Sequence, residues 1–429
     1  MNTLIKNAKI PVQGKFIKKD LYIQDDVISF NGVSQIDKTI DAEGSYLMPG
    51  FIDIHTHLDD YIGKCYLADT YKSAAEIALR NGFTTLFNFI TQHPSEDIQE
   101  SISKAEKKIP NDTTVNYYFH LTPVTFETGD FKKFEKLINK GFRTFKFYTT
   151  YRHAGLFTSY RQIEKIFSML RGTGVRFLVH CEDDEILSSV NADTIDYSDA
   201  YSHSIMRPKQ AEIKAIETLL DLSVKYSAHL HIVHVSTPEG ARIIHKAKQK
   251  YNFISCETCP QYLLLDDSYL KNDDGYKYIC SPPLRSREDA DEMVRLANEE
   301  YFDIYTTDHC AFTKKDKDEF KGDIRNVPNG LPGIGGLVHN IYNILNGDME
   351  ERLLHITKHL SKIPALLTGL YPKRGTLQEG SKADLVILKK GNKHNLNATL
   401  MDVYDPYEKF SSELEITHTV SNGRIYEYS

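Results

Sequence analysis

Eight short apolar segments, with stretches of helical character between them, fill the middle of the chain and restrict its fold more than any other feature. Residues 51–56, 84–89, 114–120, 142–148, 175–180, 229–235, 252–257 and 302–307 read as strands. Residues 71–80, 131–139, 162–171, 208–226 and 238–250 read as helices between them. Ser236 and Thr237 before Pro238 supply cap chemistry, followed by a proline at the first helical position. Parallel strands need long crossovers, usually helices, so this alternation predicts an α/β fold built on a (β/α)8 TIM-type barrel. An open doubly wound sheet is the alternative, but no glycine-rich phosphate loop follows the first strand.

The two ends of the chain differ from the middle and resemble each other. Leu21-Tyr22-Ile23 and Val27-Ile28-Ser29-Phe30 are apolar-rich, and Asn31-Gly32 is a hairpin-type turn signal. Near the other end, residues 383–388 read as a strand and residues 416–428 as two strands around Asn422-Gly423. The economical arrangement joins residues 1–48 and 375–429 in a small β-sandwich domain beside a barrel over residues 49–374.

Composition removes several classes of function. With 52 Lys and Arg against 59 Asp and Glu, the chain carries a formal charge of −7. It lacks the cationic excess that nucleic-acid binding requires, so no nucleic-acid partner is expected. An apolar fraction of 41% and a charged fraction of 26% fit a soluble globular chain with a large core. No run of about 18 apolar residues could cross a bilayer, so no membrane partner is expected. Residues 1–10 alternate polar and apolar positions and lack the apolar centre of a signal peptide. Six cysteines are too few for a disulfide scaffold, and Cys256 and Cys259, although spaced C-x-x-C, read as buried free thiols. The expected compartment is the cytoplasm.

In a barrel of this kind, chemistry collects at the C-terminal ends of the strands. Those ends carry His55 and His57, Lys146, His180, His234 and Asp308. His55 and His57 are two apart, so both rings point to one side of a strand and can share a zinc-like ion. The pattern is cheap, since His229 and His231 repeat it; these two read as packing or surface histidines, whereas His234, of opposite parity, sits beside a helix start. In Phe145-Lys146-Phe147 the phenylalanines face the helix layer and turn Lys146 inward. A bare ammonium there costs several kcal/mol (roughly) unless paired. An ordinary buried ion pair would serve; reaction with carbon dioxide would instead make a carbamate, an anion able to bridge two cations. Asp308, beside such ions, could ligate and accept a proton.

With these residues in view, the sequence resembles the cyclic amidohydrolases, in particular the dihydropyrimidinase and hydantoinase branch, nearly end to end. The segments that carry the likeness are Met48-Pro-Gly-Phe-Ile-Asp-Ile-His-Thr-His-Leu58, Gly141-Phe-Arg-Thr-Phe-Lys-Phe-Tyr-Thr-Thr-Tyr151, Val179-His-Cys-Glu182, Val233-His-Val-Ser236, Glu257-Thr-Cys-Pro-Gln-Tyr-Leu263, Cys280-Ser-Pro-Pro-Leu-Arg285, Thr307-Asp-His-Cys310 and Pro328-Asn-Gly-Leu-Pro-Gly333. The resemblance implies a hydrolase that opens a small cyclic amide with a hydroxide held between two divalent ions of the zinc type. By position it assigns His55, His57 and Asp308 to one ion, His180 and His234 to the other, and a carbamylated Lys146 to the bridge. It makes Asp308 and Tyr151 catalytic, Tyr151 as hydrogen-bond donor to the oxyanion. Ser281 and Asn329 would hold the ring edge with Tyr151, largely through their backbones. It also implies a homo-oligomer, tetramer or dimer. Gln261 stands where dihydroorotases and allantoinases, the rival activities, usually have histidine; a non-catalytic scaffold relative, the rival of another class, would have lost ligands. Gly335-Gly336 and the loop over residues 59–67 depart from the family pattern, and the loop puts the substrate's side group in question.

Overall fold

Segments buried on both faces build the centre of the molecule, as parallel strands covered by helices must be. The computed structural model of the chain describes residues 2–33, 35–93, 95–124 and 131–428. Phe51–Thr56 (β1), Phe83–Thr91 (β2), Asn116–Thr122 (β3), Thr144–Tyr148 (β4), Arg176–His180 (β5), His229–Ile232 (β6), Ile254–Thr258 (β7) and Ile304–Tyr305 (β8) pair in sequence order, all parallel. The ring closes just beyond β8. Thr56 bridges His309 in parallel, and the His57 N–H donates to the His309 carbonyl at 2.7 Å.

The expected strands and helices are present, with shifted ends. The strand expected over 302–307 keeps only two residues, because the chain turns at Asp308, where φ is +48°. The strand expected over 229–235 stops at Ile232, and His234 lies beyond it at φ +38°. Phe145 packs edge-on against Phe134 of the helix Phe131–Asn139, with ring centroids 5.0 Å apart. That orientation leaves Lys146, of opposite parity, enclosed beside Phe89.

The terminal segments combine into an eight-stranded mixed sheet that carries its own apolar core, including Ile5, Leu21, Ile28, Leu385 and Val420. An antiparallel bridge from Val27 to Lys382 brings the sheet's far edge back toward the strand Leu385–Asn395, so the sheet folds over that core. Asn422-Gly423 does turn the chain between Ser411–Ser421 and Arg424–Glu427. Asn31-Gly32 does not form the expected hairpin; it follows Val27–Ser29, and the tight turn falls at Asp25-Asp26 between Lys15–Gln24 and Val27–Ser29. Asp25 adopts φ +58° there, a conformation that aspartate tolerates better than most residues.

Gly335 has a packing reason. A Cβ there would lie 1.9 Å from the Asn397 carbonyl oxygen, and the Gly335 N–H donates to the Ala398 carbonyl at 2.9 Å. All six cysteines are buried and free, Cys256 and Cys259 included. Among the described residues no helix is long and apolar enough to cross a membrane.

Candidate metal centre

β1 delivers His55, and His57, just past the strand's end, reaches the same region. Their Nε2 atoms lie 3.0 Å and 3.5 Å from the same oxygen, Asp308 Oδ1. Hydrogen bonding fixes where the His55 lone pair points. Its Nδ1 contacts Glu257 Oε1, and a carboxylate can only accept, so Nδ1 carries the proton. In the neutral ring Nε2 is then a lone pair aimed at another acceptor, Asp308, although, against the cost of burial, the Glu257 and Asp308 carboxylates raise this imidazole and favour a cation here. Two acceptors at that separation call for a cation between them, and two histidines with one carboxylate are a donor set suited to zinc.

The second group is built the same way. His180, at the end of β5, places Nε2 2.7 Å from Glu182 Oε2, which puts the proton on that nitrogen. Nδ1 faces His234 Nε2 at 3.0 Å. Burial, followed by the charges of His180 and Lys146, holds His234 well below the usual imidazole range, so it too stands neutral and ready to ligate. Two imidazoles alone make an incomplete set. An oxygen donor from between the groups would complete it.

Lys146 lies in that interval. Its side chain is buried, with Nζ 5.0 Å from the Phe89 ring and 5.1 Å from the Tyr148 ring. The same Phe89 ring lies 4.7 Å from that of His55 and 4.9 Å from that of His57. Burial drives the Lys146 amine down to about 8, with Asp308 and Glu257 pulling the other way. An amine so placed is unprotonated far more often than a surface lysine, which is the state that reacts with carbon dioxide.

Three residues of this region, Tyr151, His234 and Asp308, hold left-handed φ angles of +68°, +38° and +48°. Each is costly for a residue with a Cβ, by roughly 1–3 kcal/mol, and such residues cluster where a side chain must be aimed. Tyr151 stands with its ring 5.1 Å from that of His180, under the Arg207 guanidinium at 4.9 Å. Burial raises the Tyr151 hydroxyl to about 12, against the opposing pull of Arg207. Ser281 and Asn329 meet on the same side: Asn329 Nδ2 donates to Ser281 Oγ at 3.1 Å.

Several residues that complete the centre were not singled out from the sequence. Glu257 joins His55 to His231, whose Nε2 lies 3.0 Å from Glu257 Oε2. Glu182 joins His180 to Arg207; against the cost of burial, Arg207 and His180 hold its carboxyl down to about 2. His203 Nε2 lies 2.9 Å from the Cys280 carbonyl and 3.3 Å from Ser281 Oγ. Glu182 had a signal, since it is two residues from His180. His231, expected as a packing or surface histidine, is buried but hydrogen-bonded at both ring nitrogens, to Glu257 and to Ser255 Oγ at 2.8 Å, while His229 stands edge-on to Phe253.

Comparisons with known proteins identify the family and the fold. Residues 46–426 match the family model described as the Amidohydrolase family. A D-phenylhydantoinase of Escherichia coli O81 is 28% identical over 438 aligned positions, covering 99% of this chain and 94% of that protein. Among solved structures, a dihydropyrimidinase from Brevibacillus agri superposes with a TM-score of 0.92 at 25% identity, covering 99% of this chain and 95% of that one. A D-hydantoinase superposes equally well, with a TM-score of 0.92 at 27% identity and the same coverage.

Proposed function

The chain belongs to the amidohydrolase family, and from that premise we propose that it opens a cyclic amide, a dihydropyrimidine or a hydantoin, to an N-carbamoyl amino acid. The observation that carries the reading is the convergence of His55 and His57 with Asp308, and of His180 with His234, on either side of the enclosed Lys146. Residues 49–374 are the hydrolytic barrel in this reading, and residues 1–48 with 375–429 form its companion β-domain.

His55, His57 and Asp308 would hold one divalent ion and His180 and His234 another, with Lys146, its amine converted to a carbamate, supplying the oxygen donors that complete both sets. Two such ions of the zinc type supply Lewis acidity that makes water a nucleophile at neutral pH. Asp308 takes the proton of the attacking water and hands it to the ring nitrogen as the carbon–nitrogen bond breaks. The Tyr151 hydroxyl donates to the carbonyl oxygen as negative charge grows on it. Glu182 keeps Arg207 and His180 in place, and Arg207 in turn packs on the Tyr151 ring. Ser281 and Asn329 hold the amide or imide edge of the ring.

The ring's side group is chosen by the segment after His57. It folds into a two-stranded hairpin, Tyr61–Ile62 with Cys65–Tyr66, whose Cys65 packs with Cys310 and Phe312 just beyond Asp308. The enzyme works in the cytoplasm as a homo-oligomer, a tetramer or dimer, and its six unpaired thiols fit a reducing compartment. The test is a hydrolysis panel of dihydrouracil, hydantoin, dihydroorotate and allantoin on metal-replete protein. Turnover of the first two to N-carbamoyl products is expected. Turnover of only the last two, or of none, would overturn the reading.

A further inference from the structure

A second convergence of ligating atoms lies at the opposite end of β8. Asp308 follows that strand; Asp303 precedes it, and the Asp303 carbonyl lies 2.8 Å from His359 Nδ1. A carbonyl only accepts, so His359 Nδ1 carries a proton, and in the neutral ring Nε2 bears a lone pair. That Nε2 is buried and has no hydrogen-bond partner; Glu300 Oε1 is 3.6 Å away. His355 is fixed in the same sense. The Tyr305 hydroxyl donates to the Ala297 carbonyl at 3.2 Å, so it accepts from His355 Nε2 at 2.9 Å, and His355 Nδ1 is left with a lone pair. Nδ1 lies 3.9 Å from Glu300 Oε1. Glu300, His355 and His359 thus each offer a ligand atom, and these atoms lie within 4.8 Å of one another, with the two imidazole rings stacked at 4.2 Å.

Ligands about 2.0–2.2 Å from a tetrahedral ion stand about 3.3–3.6 Å apart, close to these separations. The backbone is shaped around the cluster as well. Met349–Thr357 is an α-helix that carries His355, and it widens into a π-helical turn, Lys358–Lys362, that carries His359. Such turns are rare and recur at functional sites. Lys358 Nζ pairs with the other oxygen, Glu300 Oε2, at 2.5 Å and leaves Oε1 to the histidines. His359 is almost wholly buried and Glu300 half exposed, so one face of the cluster remains open to water.

We infer that Glu300, His355 and His359 bind a zinc-class divalent cation at the foot of the barrel, separate from the catalytic centre. The ion is structural and ties the segment entering β8 to the helix Met349–Thr357, on the end of the barrel where residues serve stability. Its test counts metal in the full chain. Wild-type protein and the Glu300→Gln/His355→Gln variant are equilibrated with micromolar Zn2+, freed of excess, and compared for zinc per chain, with circular dichroism as the check on folding. The variant is expected to hold one zinc fewer and to lose part of the zinc-dependent rise in unfolding temperature. Glu300→Gln alone, at a half-exposed side chain, covers the case in which the double variant does not fold, and should weaken zinc at this site at least about 10-fold. Equal zinc in wild type and variants would overturn the site and assign the contact to a protonated His359 paired with Glu300. The readout is a difference, so it stands whatever the catalytic centre itself binds.

Discussion

Glu257 grips the Nδ1 side of His55 and thereby turns the opposite nitrogen toward Asp308, 3.0 Å away. The carboxylate does the same work for His231 with its other oxygen. Its own carboxyl lies well below the usual range although burial opposes this, because His55 and His231 hold it ionised. Partners of this kind set the orientation and basicity of a ligating imidazole.

Glu257→Gln should therefore weaken metal binding by about 10–100-fold while the barrel stays folded. Metal retained during dialysis against a graded chelator reads this directly. Retention identical to wild type would remove Glu257 from the centre.

Tyr151→Phe should lower kcat by about 10²–10³ and leave the bound metal unchanged. The wild-type hydroxyl, raised to about 12 by burial, keeps its proton throughout the neutral and mildly alkaline range. The alkaline limb of the wild-type rate profile should then show no fall from Tyr151 below about pH 10. Full turnover in the variant would exclude the donor role.

Lys317 offers a pH test outside the catalytic centre. Its side chain is buried, and Nζ donates to the Lys277 and Ile279 carbonyls at 3.1 Å and 3.3 Å. Burial lowers this amine from 10.5 to about 8. A lowered folded-state value means the unfolded chain holds the extra proton between about pH 8 and 10.5, so the Lys317 contribution to stability rises with pH across that window. Below about pH 8 the charge costs on the order of 3 kcal/mol. Denaturant unfolding of wild type and Lys317→Met at pH 7.5 and 10 (roughly the window's ends) should show the difference moving in favour of wild type at the higher pH. A constant difference would contradict the assignment.

Gly335→Ala should destabilise the chain by about 1–3 kcal/mol or more, since the new methyl meets the Asn397 carbonyl, a backbone atom that cannot swing aside. Thermal unfolding measures it. A midpoint equal to that of wild type would show that residues 397–398 yield easily.

The barrel was legible because its period is long and its strands are apolar-rich and buried on both faces, as in Thr144–Tyr148, where every residue is buried. The candidate ligands were legible because polar residues at strand ends stand out against such runs. Other features escape a linear reading. Asn2–Val12 alternates in burial as a strand should, yet a register shift between Ile5 and Ala8, with Asn7 at φ +60°, breaks the pattern. Glu257 matters only through neighbours far along the chain, standing 202 residues from His55. The departure at Gly335 is explained by the chain crossing it near Asn397, contact that sequence order conceals.

The most direct test of the account is the metal content of Lys146→Ala, with and without a short carboxylic acid in the buffer. The account predicts that this variant loses its catalytic-centre ions and its activity, and that the added acid, supplying the missing oxygens between His180 and His57, restores part of both. Lys146→Ala protein that keeps a wild-type complement of metal would contradict the bridging role and the mechanism built on it.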